Sequence, residues 1–278
     1  MRLSVVVATY NHPEWLEKVL WGFRAQTFRD FELLVADDGS DASTRDLIER
    51  VTPQLGFPVR HIWHPKEGFR KCTILNAAIS ASEGEYLFFT DGDCIPRPDL
   101  LAVHASLAAP GRFLSGGYLK LPMETSQAIT REDVLAGRAT DYGWLRAHGT
   151  PPSSQARRLS WGPGLARLLD LLTPTRPTFN GHNASAWRHD LVQVNGFDER
   201  LEWGGLDREI GERLEHAGVR GRQIRHRALV VHLDHGRGYK RPDAIARNRA
   251  IRDEVAAKRI TRTPVGLDRH LGHTGSAT

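Results

Sequence analysis

The N-terminal half of the chain alternates short apolar runs with stretches whose apolar positions recur at helical spacing. Residues 3–9 (LSVVVAT) are apolar and β-branched and predict a buried strand. Pro13 then opens a helix with Trp15, Leu16, Val19, Leu20 and Phe23 on one face. Residues 31–36 predict a second strand that runs into Asp37-Asp38-Gly39-Ser40, and Asp41 or Ser43 can cap a helix over 44–51. A third strand covers 59–63, and 71–82 (KCTILNAAISAS) form a small-residue helix able to pack closely on a sheet. Tyr86, Leu87, Phe88 and Phe89 make a further buried strand, bounded by Gly84 and halted at Asp91-Gly92-Asp93. A helix from Pro98 to residue 107 and one strand over 112–121 complete this half.

Such alternation predicts an α/β fold, a doubly wound and mostly parallel sheet with helices on both faces. Right-handed crossovers put the strand ends on one edge. Thr9-Tyr10-Asn11, Asp37-Asp38 and Asp91-Gly92-Asp93 therefore converge on one crevice, where open sheets of this kind bind ligands. Two carboxylates about a glycine offer hard oxygen ligands to Mg²⁺ or Mn²⁺, although an isolated Asp-Gly-Asp is also a common solvated turn. No GxGxxG follows the first strand and no GxxxxGK[ST] occurs, which excludes dinucleotide and Walker-type sites.

The second half is patterned less clearly. Residues 123–178 mix Gly, Pro, Ser and Arg with Tyr142, Trp144 and Trp161, and 157–172 (RRLSWGPGLARLLDLL) are basic and in part amphipathic. Two readings fit: a mobile insertion of short helices over the crevice, or a surface for an acceptor or an anionic membrane. Residues 179–187 (FNGHNASAW) predict a strand with a turn, and 189–194 a short helix. A helix over 208–216 is headed by Asp207 and ends at Gly218. A strand over 229–233 carries His232, with His235 in the glycine-rich turn after it. A charged helix over 243–259 and a disordered tail over 272–278 follow.

Composition narrows the class only a little. With 40% hydrophobic and 26% charged residues the chain reads as a soluble globular protein. A net charge of +5 suits an anionic ligand, yet the excess comes from scattered arginines. Basic residues do not cluster with stacking aromatics on one element, so no nucleic-acid partner is expected. Two cysteines, Cys72 and Cys94, without CxxC spacing argue against a disulfide framework and fit a reducing cytosol. The first apolar run is too short for a cleaved signal, and no segment nears the ~20 apolar residues that span a bilayer. A cytoplasmic protein is expected, soluble or peripheral at the inner face of the membrane.

Ordered motifs carry a resemblance. SVVVATYN, FELLVADDGS, GFRKCTILNAAI and EYLFFTDGD together look like the nucleotide-binding half of family 2 glycosyltransferases with the GT-A fold. The later FNGHNASAWR, followed by VNGFD and WGGLD, resembles the C-terminal half of bacterial chondroitin-polymerase domains and animal β-1,4-galactosyltransferases. The similarity runs from Leu3 to His235. It divides the chain into a nucleotide-sugar half (1–122), the insertion (123–178), an acceptor and catalytic half of the same domain (179–240), and a C-terminal helix and tail (241–278).

The resemblance implies roles. Thr9, Tyr10, Asn11 and the acidic pair would hold the uracil and ribose of a UDP-sugar, with Asp38 accepting the uracil N–H. Tyr10 either stacks on the base or packs, and Arg70 is either the family's basic residue near the nucleotide or a surface charge. Asp91 would meet the ribose or a metal-bound water, and Asp93 would bind the Mn²⁺ or Mg²⁺ that stabilises the leaving UDP. His232 resembles the family's histidine ligand, with His235 as competitor. Asp207 falls at the catalytic base that an inverting transfer needs opposite the diphosphate, and it can equally cap its helix. Trp203 offers an apolar face to a pyranose, and Gly204 and Gly205 let backbone approach the sugar. Leu206 stands where relatives carry a Glu that contacts sugar hydroxyls, which leaves the sugar open.

The implied function is metal-dependent, inverting transfer of a hexose or N-acetylhexosamine from a UDP-sugar to a surface-glycan or lipid-linked acceptor, as in lipopolysaccharide or capsule assembly. A non-catalytic nucleotide-sugar or glycan-binding protein of the same fold is the alternative. A sugar nucleotidyltransferase is a third, although ATYNHPEW lacks its Gly-rich basic first loop.

Overall fold

The computed structural model describes residues 1–236 and 241–271, so the tail expected to be disordered (272–278) lies outside the described residues. Ten strands occur among the described residues: β1 Leu3–Thr9, β2 Phe31–Asp37, β3 Val59–Trp63, β4 Tyr86–Asp91, β5 Cys94–Pro96, β6 Arg112–Ser115, β7 Gly117–Lys120, β8 Ala184–Trp187, β9 Arg220–Gln223 and β10 Leu229–His232. Seven form one sheet in the order β3-β2-β1-β4-β8-β6-β9, and three form a second in the order β5-β10-β7. In the large sheet only β8 runs against its neighbours. The chain moves outward from β1 through β2 to β3 and then returns to place β4 on the other side of β1. This reversal opens a crevice at the carboxyl ends of β1 and β4.

Both faces of the sheet are covered, which explains why its central strands are continuous apolar runs. Along β1, Leu3, Val5 and Val7 enter one core with Leu16, Leu20 and Phe23 of the helix Pro13–Arg24. Val6 and Ala8 enter a second core with Ile74, Leu75 and Ala78 of the helix Lys71–Ala81. Full burial of each such Leu, Val or Phe contributes about 1.5–3 kcal/mol. On the second face the Phe89 ring packs edge-on to Phe179 (5.7 Å) and Phe197 (5.6 Å), tying the end of β4 to the two loops that flank the crevice.

The single strand expected over 112–121 is two strands in different sheets. Its break is at Gly116 and Gly117, where a Cβ would meet the Asn183 side chain or the Arg225 carbonyl oxygen at 2.3 Å. Asn183 stitches the sheets together there, donating from Nδ2 to the carbonyls of Gly117 (2.8 Å) and Ala228 (3.1 Å). Its Oδ1 meets Nε2 of His104 at 2.9 Å, and the other ring nitrogen of His104 meets Ser185 Oγ at 2.7 Å. Residues 123–178 carry short helices, and Ile129, Val134, Ala139, Leu145 and Ala156 join the first core. The Arg131 guanidinium lies 3.6 Å from the centroid of the Trp21 ring, fixing this segment against the helix Pro13–Arg24.

Candidate active site

The strand ends open into a cleft of about 880 Å³, within the range of small-molecule sites. At one end the loop after β1 is tied to the loop after β2. The Asn11 amide donates to Ser40 Oγ (2.9 Å), and Asn11 Oδ1 accepts from the Asp41 amide (2.9 Å). Asn11 has a φ of +48°, a left-handed conformation that Asn tolerates better than most residues. Asp37 is buried against His61 Nε2 (2.9 Å) and the Ser40 amide (2.8 Å), so it braces the loop. Asp38 faces the cleft and accepts from Lys66 Nζ (2.7 Å) and the Arg70 amide (3.2 Å), with His64 Nε2 2.8 Å away. The same Lys66 ammonium lies 3.8 Å from the centroid of the Tyr10 ring.

A carboxylate and two imidazoles meet in the middle of the cleft. β10 pairs antiparallel with β5, His232 opposite Cys94, which brings His232 beside Asp93. His232 Nε2 is 3.8 Å from Asp93 Oδ1, and His235 Nε2 is 3.0 Å from Oδ2. Both rings spend Nδ1 on a carbonyl oxygen, of Leu233 (2.7 Å) and of Gly236 (2.8 Å). A carbonyl only accepts, so Nδ1 carries the hydrogen, which leaves Nε2 to donate to Asp93 when the ring is protonated or to offer its lone pair to a metal when the ring is neutral. Lone pairs converging on a carboxylate call for a cation among them, either a proton or a metal. Burial works to raise the Asp93 carboxyl, but the His235 hydrogen bond and the charges both histidines carry when protonated outweigh it and hold the group at about 2. Asp93, Cys94 and His232 present donors within 4.8 Å of one another. Burial and the Asp93 charge push the Cys94 thiol well up, so it stays protonated and donates to Asp93 Oδ1 (3.3 Å). The carboxylate and the imidazoles are thus a donor set that fits a divalent cation.

Asp207 enters the cleft from the first turn of the helix Leu206–His216, where the helix amides favour negative charge. Burial nevertheless pushes its carboxyl up to about 6, with Lys71 opposing and Asp91 adding to the shift. Its Oδ1 is shielded from water and has no hydrogen-bond partner among the described residues. Gly181 makes room for it: a Cβ there would lie 2.4 Å from Oδ1. The Lys71 ammonium donates to Asp91 Oδ1 (2.6 Å). Burial alone would discharge Lys71, but the charges of Asp91 and Asp207 keep it protonated. His182 also lines the cleft. Burial pushes it down to about 4, so its ring is neutral, and Nε2 has no partner among the described residues.

Residues 4–128 match the family model described as glycosyl transferase family 2, and residues 174–236 match that described as the N-terminal domain of galactosyltransferase. Over residues 4–128 the chain is thus similar to the family 2 glycosyltransferases. It is 29% identical over 233 residues to validoxylamine A glucosyltransferase of Streptomyces hygroscopicus subsp. jinggangensis, covering 78% of this chain and 52% of that protein. It is 27% identical over 246 residues to chondroitin synthase of Escherichia coli, covering 80% of this chain and 33% of that protein. The chain thus spans about half, or less, of the length of these curated relatives. The mannosyltransferase PcManGT of Pyrobaculum calidifontis, in complex with GDP-Man and Mn²⁺, superimposes with a TM-score of 0.59 at 22% identity, over 97% of this chain and 68% of that one. S. aureus TarS 1–349 in complex with UDP-GlcNAc does so with a TM-score of 0.60 at 16% identity, over 97% and 69%. These likenesses show the GT-A fold.

Thr9, Tyr10, Asn11, Asp38, Asp91, Asp93, Trp203, Gly204, Gly205, Asp207, His232 and His235 all line one cleft. Arg70 sits apart: its guanidinium pairs with Glu67, and its amide alone reaches Asp38. The neighbouring Lys71 occupies the cleft instead. Lys66, His182 and Asn248 were not singled out by sequence. HNA (182–184) lies within a recognised motif, which was a usable signal for His182; Asn248 offered none.

Asn248, in the helix Pro242–Lys258, clamps the loop that leads to Asp207. Its Nδ2 donates to the carbonyls of Glu202 (2.9 Å), Trp203 (3.2 Å) and Gly204 (2.9 Å), and its Oδ1 accepts from the Glu202 amide (3.2 Å). The loop needs such a clamp because Gly204 and Gly205 turn with φ of +105° and +89° and resist no motion themselves. Asn248→Ala strands these groups, at a cost of about 1–3 kcal/mol. It is expected to lower the melting temperature by several degrees and kcat at least tenfold, with little change in KM for the nucleotide. Steady-state kinetics and a thermal melt check both. An unchanged kcat would show that the loop holds its own shape.

Proposed function

We propose that the chain moves a hexose or N-acetylhexosamine from a UDP-sugar to a hydroxyl of a surface-glycan or lipid-linked acceptor, inverting the anomeric carbon. Asp207 is the observation that carries this reading: a carboxylate that burial lifts to about 6, whose water-shielded Oδ1 has no hydrogen-bond partner among the described residues, in the same cleft as a cation-binding donor set. Asp207 takes the proton from the acceptor hydroxyl as the hydroxyl oxygen attacks the anomeric carbon and the bond to the diphosphate breaks. Lys71, held protonated beside Asp91, supplies positive charge toward the diphosphate. Asp93, His232 and His235 would hold the cation, and two imidazoles in the set favour Mn²⁺ over Mg²⁺. When bound, that cation contributes Lewis-acid stabilisation of the leaving UDP.

The base and ribose fall at the end of the cleft lined by Thr9, Tyr10, Asn11 and Asp38. Among the described residues Asp38 Oδ1 is met by His64, which leaves a second lone pair on that oxygen to accept a uracil N–H. Tyr10 is 44% exposed and offers the base a ring face. Leu206 is buried in the second core, so its departure from the family's Glu is a packing change that leaves Asp207 in place. Sugar hydroxyls would then meet His182 and the backbone of Gly204 and Gly205, over the Trp203 side chain. No helix among the described residues is long and apolar enough to cross a membrane. A cytoplasmic protein working at the inner face of the membrane fits a lipid-linked acceptor.

Calorimetric titration with UDP and GDP, each with Mn²⁺ and with EDTA, tests the donor. UDP is expected to bind in the presence of Mn²⁺ and to weaken at least tenfold in EDTA. Tighter binding of GDP would overturn the choice of nucleotide.

A further inference from the structure

The helix Pro163–Leu172 has one anchored side and one bare side. Ala166 and Asp170, one turn apart, point inward: Ala166 is buried, and Asp170 accepts from the His226 amide (2.9 Å) and from Arg227 Nε (2.6 Å). At about 100° per residue, Leu165, Leu168, Leu171 and Leu172 fall on the opposite side. They are 48%, 50%, 70% and 67% exposed. Single exposed leucines are ordinary on a soluble surface, but four on one ten-residue helix make a contiguous apolar face.

The charge around that face is mainly positive. Within residues 157–172 the chain carries Arg157, Arg158 and Arg167 against a single acid, Asp170, which is spent on the inward anchor, and Arg176 just beyond pairs with Glu215. Arg157 and Arg167 are exposed. Near Asp170, Arg158 and Arg225 stand close enough to oppose each other's charge, and the Nε of each is without an acceptor among the described residues. The fold gathers more positive charge beside the exposed leucines than the acid there can balance.

We propose that this helix docks on an anionic lipid bilayer, lying in the plane of the headgroups with its leucines in the acyl boundary and the arginines among the phosphates. A second copy on the same face would bring like charges together, so a bilayer is the better occupant. The inference deepens the proposed transfer to a lipid-linked acceptor and rests on that reading for its purpose, though the docking itself requires no turnover.

Co-sedimentation of the full chain with phosphatidylcholine vesicles, with and without phosphatidylglycerol, tests it. Binding is expected only with phosphatidylglycerol, falling as salt is added. Leu168→Glu with Leu172→Glu should weaken it at least tenfold, with unchanged circular dichroism and unchanged transfer to a soluble acceptor. Should that pair lose its fold, Leu171→Glu at the most exposed leucine gives the same readout. Arg157→Gln with Arg167→Gln should reduce binding and its salt dependence. The inactive Asp207→Asn chain should sediment as wild type does, which separates failure of docking from failure of the transfer reading. Absence of binding to phosphatidylglycerol vesicles, full binding by the leucine variants, or a wild-type dimer that those variants dissociate would each overturn the proposal.

Discussion

Asp207→Asn is expected to lower transfer by about 10²–10⁴-fold, the usual loss for a general base, while making the protein more stable at pH 8. The two effects share one cause. An ordinary Asp carboxyl titrates near 3.8, but burial lifts Asp207 to about 6 despite the opposing charges of Lys71 and Arg208, with Asp91 adding to the lift. The folded state therefore holds this proton to a higher pH than the unfolded chain does. Above about pH 6 the buried charge works against folding, by at most about 3 kcal/mol for a shift of this size. As pH falls through 6 toward 4, the folded state takes up the proton and the penalty disappears. Asn carries no charge at either pH. The variant should thus melt above wild type at pH 8 and level with it at pH 4, both without added metal. In the wild type, kcat should fall with decreasing pH below about 6 as the base is protonated. A variant with full activity, or one melting level with wild type at both pH values, would contradict this role for Asp207.

The second large effect concerns the cation. Mn²⁺ at 100 times its dissociation constant should stabilise the wild type by about 2.7 kcal/mol, read as a rise in melting temperature. Asp93→Ala should abolish that rise and, with it, detectable transfer, because the central carboxylate of the donor set is gone. His232→Ala and His235→Ala should each weaken Mn²⁺ binding at least tenfold, since both rings aim Nε2 at Asp93 with Nδ1 committed elsewhere. If one of the two variants binds Mn²⁺ as wild type does, that ring is not a ligand. Retention of the Mn²⁺ effect by Asp93→Ala would show that the cation lies elsewhere.

The fold was legible where strands are buried on both faces. β1, β2 and β4 read as continuous apolar runs because helices cover each side of the sheet. β9, with the sequence RGRQ at the sheet edge, and β5, only three residues long, carry no such run. The split between β6 and β7 was hidden because two glycines in a row also read as a weak point in a single strand. In the insertion, isolated apolar residues such as Ile129 and Ala156 reach the core without any period that would reveal them.

The cleft was legible in the loops at the strand ends, where the chemistry-bearing residues are consecutive. It was least legible where a small rotation or a distant partner decides. Arg70 is the N-cap of its helix and Lys71 the first helical residue, and that single step separates a side chain paired with Glu67 from one inside the cleft. Asn248 acts on a loop more than 40 residues earlier, through contacts that exist only once the chain has folded.

UDP release from a panel of UDP-sugars, in the presence of an acceptor alcohol, tests the central claim most directly. Wild type and Asp207→Asn would be compared with Mn²⁺ and with EDTA, and UDP binding read in the same samples. Release is expected from one donor, lost in EDTA and lost in the variant, while the variant still binds UDP with Mn²⁺. Undiminished release by Asp207→Asn, or neither binding nor release with any UDP-sugar, would contradict it.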